Sequence, residues 1–169
     1  MRSNKTFRLA YGGVLAALIT LLTAYVRIPM PMQAGYAHLG DAGIALAGLL
    51  LGPYAVIPAA IGSGLADILA GWASYAVFTA VIKGVMGFIL GKFLIVKHFT
   101  FRNLLVLLIA AVVMVGGYFA TDCVLYGAAA AIGSLAGNCV QAAALVALGM
   151  VLASLMTALP EEIRRRLPR

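Results

Sequence analysis

The chain has 169 residues, of which 64% are hydrophobic and 10% are charged, and its formal net charge is +7. A soluble domain averages roughly 45–50% apolar and about 25% charged residues, so a water-soluble globular protein is excluded. The basic residues gather at the two chain ends and in one internal segment, which is typical of membrane topology signals and argues against a nucleic-acid partner. We expect one membrane domain over residues 1–169.

Six apolar segments are predicted to be transmembrane helices. In chain order they cover Phe7–Val26, Asp41–Gly52, Tyr54–Ala70, Tyr75–Phe93, Asn103–Asp122 and Ser134–Leu159. The loop Arg27–Gly40 joins the first two. The second segment is several residues shorter than the ~20 that a spanning helix needs. It is expected either to begin earlier in the loop or to cross only part of the bilayer.

The positions of the basic residues favour an even number of crossings. With six spans and a cytoplasmic N-terminus, ten of the twelve basic residues face the cytoplasm: Arg2, Lys5, Arg8, Lys92, Lys97, Arg102, Arg164, Arg165, Arg166 and Arg169. Five spans would place the two basic ends on opposite sides. The positive-inside rule therefore predicts an all-α polytopic membrane protein with six transmembrane helices and both termini in the cytoplasm.

Ionisable side chains inside the apolar segments are functional candidates, because a bilayer makes them costly. In this topology Asp41, Asp67 and Asp122 lie toward the outer ends of their segments, and Lys83 lies nearer the middle of the fourth. Aromatic and amide residues collect on the same side: Tyr36, Trp72, Tyr75, Tyr118, Tyr126, Asn138 and Gln141. This asymmetry predicts an outward-facing pocket that suits a flat, nitrogen-bearing heterocycle.

Each of these residues also has a structural interpretation. Tyrosine and tryptophan concentrate at membrane interfaces whatever the function. Asp41 is a candidate helix N-cap, and Asp67 is expected to form an ion pair with Lys83 on the adjacent helix. The two amides are candidates for interhelical hydrogen bonds. Asp122 has no obvious basic partner, so it is the preferred ligand contact.

The first segment carries two pairs of small residues at a spacing of four, Gly12 with Ala16 and Gly13 with Ala17. Such pairs let membrane helices approach closely. They serve either packing inside the bundle or docking of a partner membrane protein.

Enzymatic signatures are missing from the sequence. It contains no GxxxxGK[ST] phosphate loop and no HExxH motif, so we predict no catalytic residue, no metal site and no cofactor in this chain. No clear inverted repeat of the secondary-transporter kind is visible either, so uphill transport would need an energised partner. Two alternatives stay open: a membrane scaffold without a ligand, and a small enzyme with Asp67 or Asp122 as its base.

Seven short motifs together carry a resemblance that covers nearly the whole chain. They are Gly35–Asp41, Leu49–Pro53, Gly62–Asp67, Ile82–Gly87, Gly116–Phe119, Leu125–Gly127 and Gly137–Gln141. Their order and spacing resemble the substrate-binding S components of energy-coupling factor (ECF) transporters, in the riboflavin-type branch that also looks similar to proteins for hydroxymethylpyrimidine and vitamin B6 compounds. The chain departs from the family at Asp122, where relatives often carry Glu, and at Ala136, where they often carry Pro.

The resemblance implies a plasma-membrane protein of a bacterial-type cell that binds a vitamin or vitamin precursor at its outer side. It implies docking onto a membrane T component, itself bound to two cytoplasmic ATPase subunits that use the ATP. The docking face would be Gly12, Gly13, Ala16 and Ala17, and the loop Arg27–Gly40 would be a lid. The expected ligand contacts are Tyr36, His38, Trp72, Tyr75, Lys83, Tyr118, Asp122, Tyr126, Asn138 and Gln141. Among ligands, hydroxymethylpyrimidine or a B6 vitamer is favoured over riboflavin, because the alloxazine ring is larger and Asp122 suits a protonated or amino-bearing ring.

Overall fold

The computed structural model describes residues 4–29 and 36–162, and the side chains of residues 5–26 and 38–162. It contains six α-helices: α1 Asn4–Ala24, α2 Gly40–Leu51, α3 Val56–Leu69, α4 Ala76–Phe93, α5 Phe101–Tyr126 and α6 Ala128–Leu155. Short 3-10 turns at Gly52–Ala55 and Met156–Ala158 follow α2 and α6. The basic residues Arg2 and Arg164 to Arg169 of the topology prediction lie outside the described residues.

The segment predicted as a loop between α1 and α2 contains a small antiparallel hairpin. Strand β1, Arg27–Pro29, pairs with strand β2, Tyr36–His38, and Arg27 lies opposite His38. The predicted all-α polytopic class is confirmed, and this hairpin of two three-residue strands is a small addition to the helices. Both strands are edge strands, which is where a proline such as Pro29 is tolerated. The side chain of Tyr36 lies outside the described residues.

The short helix α2 lies in the interior of the bundle. It packs on α1, α4 and α6, while α3 packs on α1 and α4, α4 on α5, and α5 on α6. Nine of its twelve residues are buried. A helix that is apolar all round is typical of such a buried position, and the other helices therefore shield α2 from lipid.

The two ends of the bundle are fixed by contacts between distant segments. The Arg8 guanidinium lies 4.3 Å from the centre of the Tyr54 ring, so the turn after α2 lies at the end where α1 begins, which we call the basal end. At the opposite, distal end, the rings of Tyr75 and Tyr126 are 5.8 Å apart. The chain therefore runs toward the basal end in α2 and returns toward the distal end in α3.

Five helical stretches of the described chain are long and apolar enough to cross a membrane: Lys5–Ala24, Gly40–Leu69, Ala76–Phe93, Phe101–Tyr126 and Ala128–Ala158. The second of these contains both α2 and α3. With twelve residues, α2 is about 18 Å long, which is too short to cross a bilayer by itself. The shortness expected for the second segment is confirmed.

The boundary between α5 and α6 differs from the prediction. The predicted segments end at Asp122 and begin again at Ser134, but α5 continues to Tyr126 and α6 begins at Ala128. Gly127, with a φ of 88°, makes the whole turn between them. One glycine suffices because it adopts positive φ without strain, and the alanines that follow are strong helix formers.

Candidate functional site

Three buried polar side chains from different helices meet deep in the bundle. Lys83 Nζ donates to Asp41 Oδ1 over 2.5 Å, and Gln141 Nε2 donates to Asp41 Oδ2 over 2.7 Å. Lys83 is fully buried, and Asp41 and Gln141 are 2% and 4% exposed. We call these three residues the inner cluster. It connects α2, α4 and α6, and it neutralises charges that would be very unfavourable singly.

The inner cluster corrects two predictions. Lys83 was expected to pair with Asp67, but its partner is Asp41. Asp41 was a candidate N-cap of α2, but the N-cap position is Leu39, whose side chain forms no capping hydrogen bond. The pair differs from the prediction because α2 is short and its C-terminal end lies at the basal side, which brings Asp41 level with the middle of α4 and within reach of Lys83. Asp41 is not the N-cap because α2 begins one residue before it, at Gly40.

A second group of polar residues joins α4 to α5. Tyr75, Thr79 and Lys83 recur every four residues and so share one face of α4 and its N-terminal cap. The hydroxyls of Thr79 and Tyr118 are 3.1 Å apart, and Lys83 Nζ lies 5.3 Å from the centre of the Tyr118 ring. The predicted residues Tyr75, Lys83 and Tyr118 therefore line one continuous polar seam.

Asp122 lies at the distal end of this seam and is 3% exposed. The Tyr75 hydroxyl donates to its Oδ1 over 2.5 Å, and the Ser134 hydroxyl donates to its Oδ2. A carboxylate has about four lone-pair positions, so these two bonds leave capacity for another donor. We call Tyr75, Asp122, Tyr126 and Ser134 the outer cluster.

Aromatic rings from the predicted site lie in and beside the outer cluster. Trp72 makes an edge contact with Tyr75 at a ring separation of 6.0 Å, and the hydroxyl of Tyr126 lies 3.2 Å from Ser74 Oγ. Trp72 and Tyr126 are exposed. They belong to the rim of the site, where an interfacial position and a ligand contact are compatible.

Helix α6 links the two clusters. Ser134, Asn138 and Gln141 follow one another at spacings of four and three and so lie on one face. Ser134 contacts Asp122 of the outer cluster and Gln141 contacts Asp41 of the inner cluster. Asn138 is half-buried and lies between them. The structure thus places both predicted amides on the face of α6 that contacts Asp122 through Ser134 and Asp41 through Gln141.

Sequence reasoning missed three members of the site: Asp41 as an inner-cluster residue, Thr79 and Ser134. Thr79 lies midway between Tyr75 and Lys83, and Ser134 lies one turn before Asn138, so helical spacing could have identified both. His38 accepts a hydrogen bond from the Gly40 amide through Nδ1 at 3.2 Å, next to the start of α2.

The four small residues of α1 differ in exposure, although no described atom lies within 4 Å of a Cβ on either Gly12 or Gly13. Gly13 and Ala17 are exposed, and open space surrounds the position of a Cβ on Gly13. Gly12 and Ala16 are half-buried, and the carbonyl oxygen of Ala16 lies against Gly62 of α3. Ala16 thus packs within the bundle, whereas Gly13 and Ala17 lie on its outer surface.

Comparison with known proteins connects this site to a family. The family model described as "ECF-type riboflavin transporter, S component" matches residues 3–158. The chain belongs to the S components of ECF transporters. These are transport proteins without enzymatic activity in the prokaryotic plasma membrane, so the alternative of a small enzyme is wrong and the expected multi-pass membrane location is confirmed.

Two relatives and one solved structure are similar to this S component. The thiamine precursor transporter HmpT of Lactococcus lactis subsp. cremoris is 33% identical over 164 residues, covering 95% of this chain and 92% of the relative. An uncharacterized protein of Pyrococcus woesei is 39% identical over 132 residues, covering 78% of this chain and 88% of the relative. A crystal structure of the biotin S component of an ECF-type ABC transporter matches with a TM-score of 0.64 and 22% identity, covering 98% and 99% of the two chains.

Proposed function

We propose that this S component binds a single-ring vitamin precursor, hydroxymethylpyrimidine or a B6 vitamer in preference to riboflavin, between the inner and outer clusters. The observation that carries the proposal is the separation of two polar clusters by two helical turns. From Tyr75 to Lys83 the rise along α4 is about 12 Å. This length suits one ring with a hydrogen bond at each edge, since each such bond spans about 3 Å.

The chemistry of the lining supports a nitrogen heterocycle. Tyr75 and Tyr118 offer ring faces for stacking, and Asn138 offers both a donor and an acceptor. Asp122 has capacity for a further donor, which suits an amino group or a protonated ring nitrogen. The similarity to a thiamine precursor transporter points to the same class of ligand.

Thermal unfolding of the detergent-purified protein tests the ligand. Hydroxymethylpyrimidine or a B6 vitamer at ~100 times its dissociation constant is expected to stabilise the folded state by about 2.7 kcal/mol, because it binds only that state. Riboflavin and biotin in the same preparation serve as comparisons. A larger shift with riboflavin would contradict the preference for a single ring, and no shift with any vitamin would refute the proposed class of ligand.

We further propose six membrane crossings with both termini in the cytoplasm, in which α2 makes the second crossing together with the residues on either side of it and is shielded from lipid. The basal end is then cytoplasmic and the site opens outward. Energy comes from ATP hydrolysed by two ATPase subunits, which are coupled to this chain through a membrane T component. The exposed small-residue face of α1 at Gly13 and Ala17 is the proposed contact with that component.

A Gly13→Leu variant tests this docking face. We expect vitamin uptake by cells that also contain the T component and ATPases to fall about tenfold or more, because a bulky side chain keeps the helices apart at a cost of ~1–3 kcal/mol. Ligand affinity of the purified variant should not change. Gly116→Leu on α5 is the matched control, since Gly116 is also exposed and surrounded by open space. Equal loss of uptake in both variants would count against a specific docking face.

A further inference from the structure

Two hydroxyl groups, one on α1 and one on α3, have no hydrogen-bond partner among the described residues. They are Thr23 Oγ1 and Ser63 Oγ, and both atoms are buried. Thr23 is 4% exposed and Ser63 is 1% exposed. A buried hydroxyl without a partner is unfavourable and unusual, and in a native protein it points to a water or a ligand that completes it.

The hydroxyl of Thr23 lies at the start of α2. A Cβ on Gly40 would overlap Thr23 Oγ1 and would lie 3.0 Å from His38 Nδ1. Asp41 of the inner cluster is the next residue. The unpartnered hydroxyl therefore borders the first turn of α2, beside the inner cluster.

Ser63 faces the interior of the bundle from α3. Its neighbour Gly62 lies against α1 and its neighbour Gly64 lies against Ala76 and Ala80 of α4, so Ser63 points between these two helices, away from lipid. The contacts between α3 and α4 show at which level along α4 Ser63 lies. Since Gly64 contacts Ala80 and Gly84 contacts Ala60, Ser63 lies between the levels of Lys83 and Tyr75.

We infer that Thr23 and Ser63 are specificity-determining residues, whose hydroxyls hydrogen-bond the edge of the ligand that faces α1 and α3. The inference rests on the proposed function. Nothing in the resemblance or in the polar pattern of the sequence assigned these residues to the site. A hydroxyl both donates and accepts, so this pair favours a neutral polar group, such as an amino or hydroxymethyl substituent, over an apolar edge.

The variants Thr23→Val and Ser63→Ala test this role in the purified full-length chain with hydroxymethylpyrimidine as the probe. We expect each variant to weaken binding about fivefold to tenfold, the equivalent of one hydrogen bond. The melting temperature without ligand should stay the same or rise, because each change removes a buried group that has no partner. Weaker binding together with an unchanged or higher melting temperature distinguishes hydroxyls that contact the ligand from hydroxyls that stabilise the fold.

Thr20→Val is the matched control on the same helix. The Thr20 hydroxyl lies 2.9 Å from the carbonyl oxygens of both Ala16 and Gly62, so this variant should lower the melting temperature and leave affinity unchanged. Two pyrimidine analogues, one without the amino group and one without the hydroxymethyl group, complete the test. On the wild-type chain, one of the two analogues should bind more weakly than hydroxymethylpyrimidine. On either Thr23→Val or Ser63→Ala, that analogue and hydroxymethylpyrimidine should bind with equal affinity.

Three results would overturn the inference. Unchanged affinity in both variants would show that the ligand does not touch these hydroxyls. A lower melting temperature with unchanged affinity would show that they hold structural water. Failure of the wild-type chain to bind any vitamin precursor would refute the proposed function itself, and with it this assignment, whereas wild-type binding with insensitive variants would refute the assignment alone.

Discussion

Replacing Lys83 by methionine is expected to lower the free energy of unfolding by ~3–5 kcal/mol, because it leaves Asp41 buried without its cationic partner. Asp41→Leu should have an effect of similar size, since it strands the Lys83 ammonium. The double variant Asp41→Leu with Lys83→Met should recover most of the loss, because a well-packed apolar pair can replace a buried ion pair. Unfolding in mixed detergent micelles measures all three variants.

Lys92→Met is the matched control for this series. Lys92 is on the same helix but is exposed at the basal end, so its removal should change stability by about 0.5 kcal/mol or less. If Lys83→Met were as stable as Lys92→Met, the buried pair would not exist. The double variant also separates two roles of Lys83: a stable double variant without ligand affinity would place Lys83 or Asp41 in contact with the ligand.

Replacing Gly91 by alanine is expected to destabilise the protein by about 3 kcal/mol or more. A Cβ at this position would overlap the carbonyl group of Gly52 and approach Pro53 N at 2.9 Å. These atoms belong to the backbone of the turn after α2, so no side chain can rotate away. The variant would push this turn off α4 at the basal end, and thermal unfolding would detect the loss.

Gly116→Ala is the same substitution at another position, and we expect it not to lower the stability of the protein. No described atom lies within 4 Å of a Cβ on Gly116, and alanine is favoured over glycine in a helix by about 1 kcal/mol. This variant should therefore be as stable as the wild-type chain or more stable. Equal stability of Gly91→Ala and Gly116→Ala would show that α4 does not approach the turn as closely as described.

The helices were largely predictable because their apolar character is nearly continuous. The predicted segment Tyr75–Phe93 corresponds to α4, Ala76–Phe93, and the predicted segment Asp41–Gly52 corresponds to α2, Gly40–Leu51. The depth of α2 was not predictable in the same way. Composition shows that a segment is too short to cross, but only the packing of its ends shows at which level it begins.

The sequence was sufficient to predict most of the residues that line the site, but less so to predict which of them contact one another. The polar residues of α4, α5 and α6 share faces because helical spacing places them there, and the structure joins Tyr75 to Asp122 as that spacing allows. The partner of Lys83 depends on the vertical position of α2, which no local pattern encodes. The hydroxyls of Thr23 and Ser63 were overlooked because Thr and Ser are ordinary in membrane helices, and only burial without a partner distinguishes them.

The three members of the inner cluster are made at widely separated times as the chain is synthesised. Asp41 enters the membrane before either of its partners exists: Lys83 follows 42 residues later and Gln141 follows 100 residues later. Until α4 is made, the nascent chain therefore carries an unmatched carboxylate among apolar helices, where unsatisfied polar groups are costly. The charge of Asp41 is matched once α4 is in place, and its second oxygen gains the Gln141 amide only after α6, the last helix, has been made.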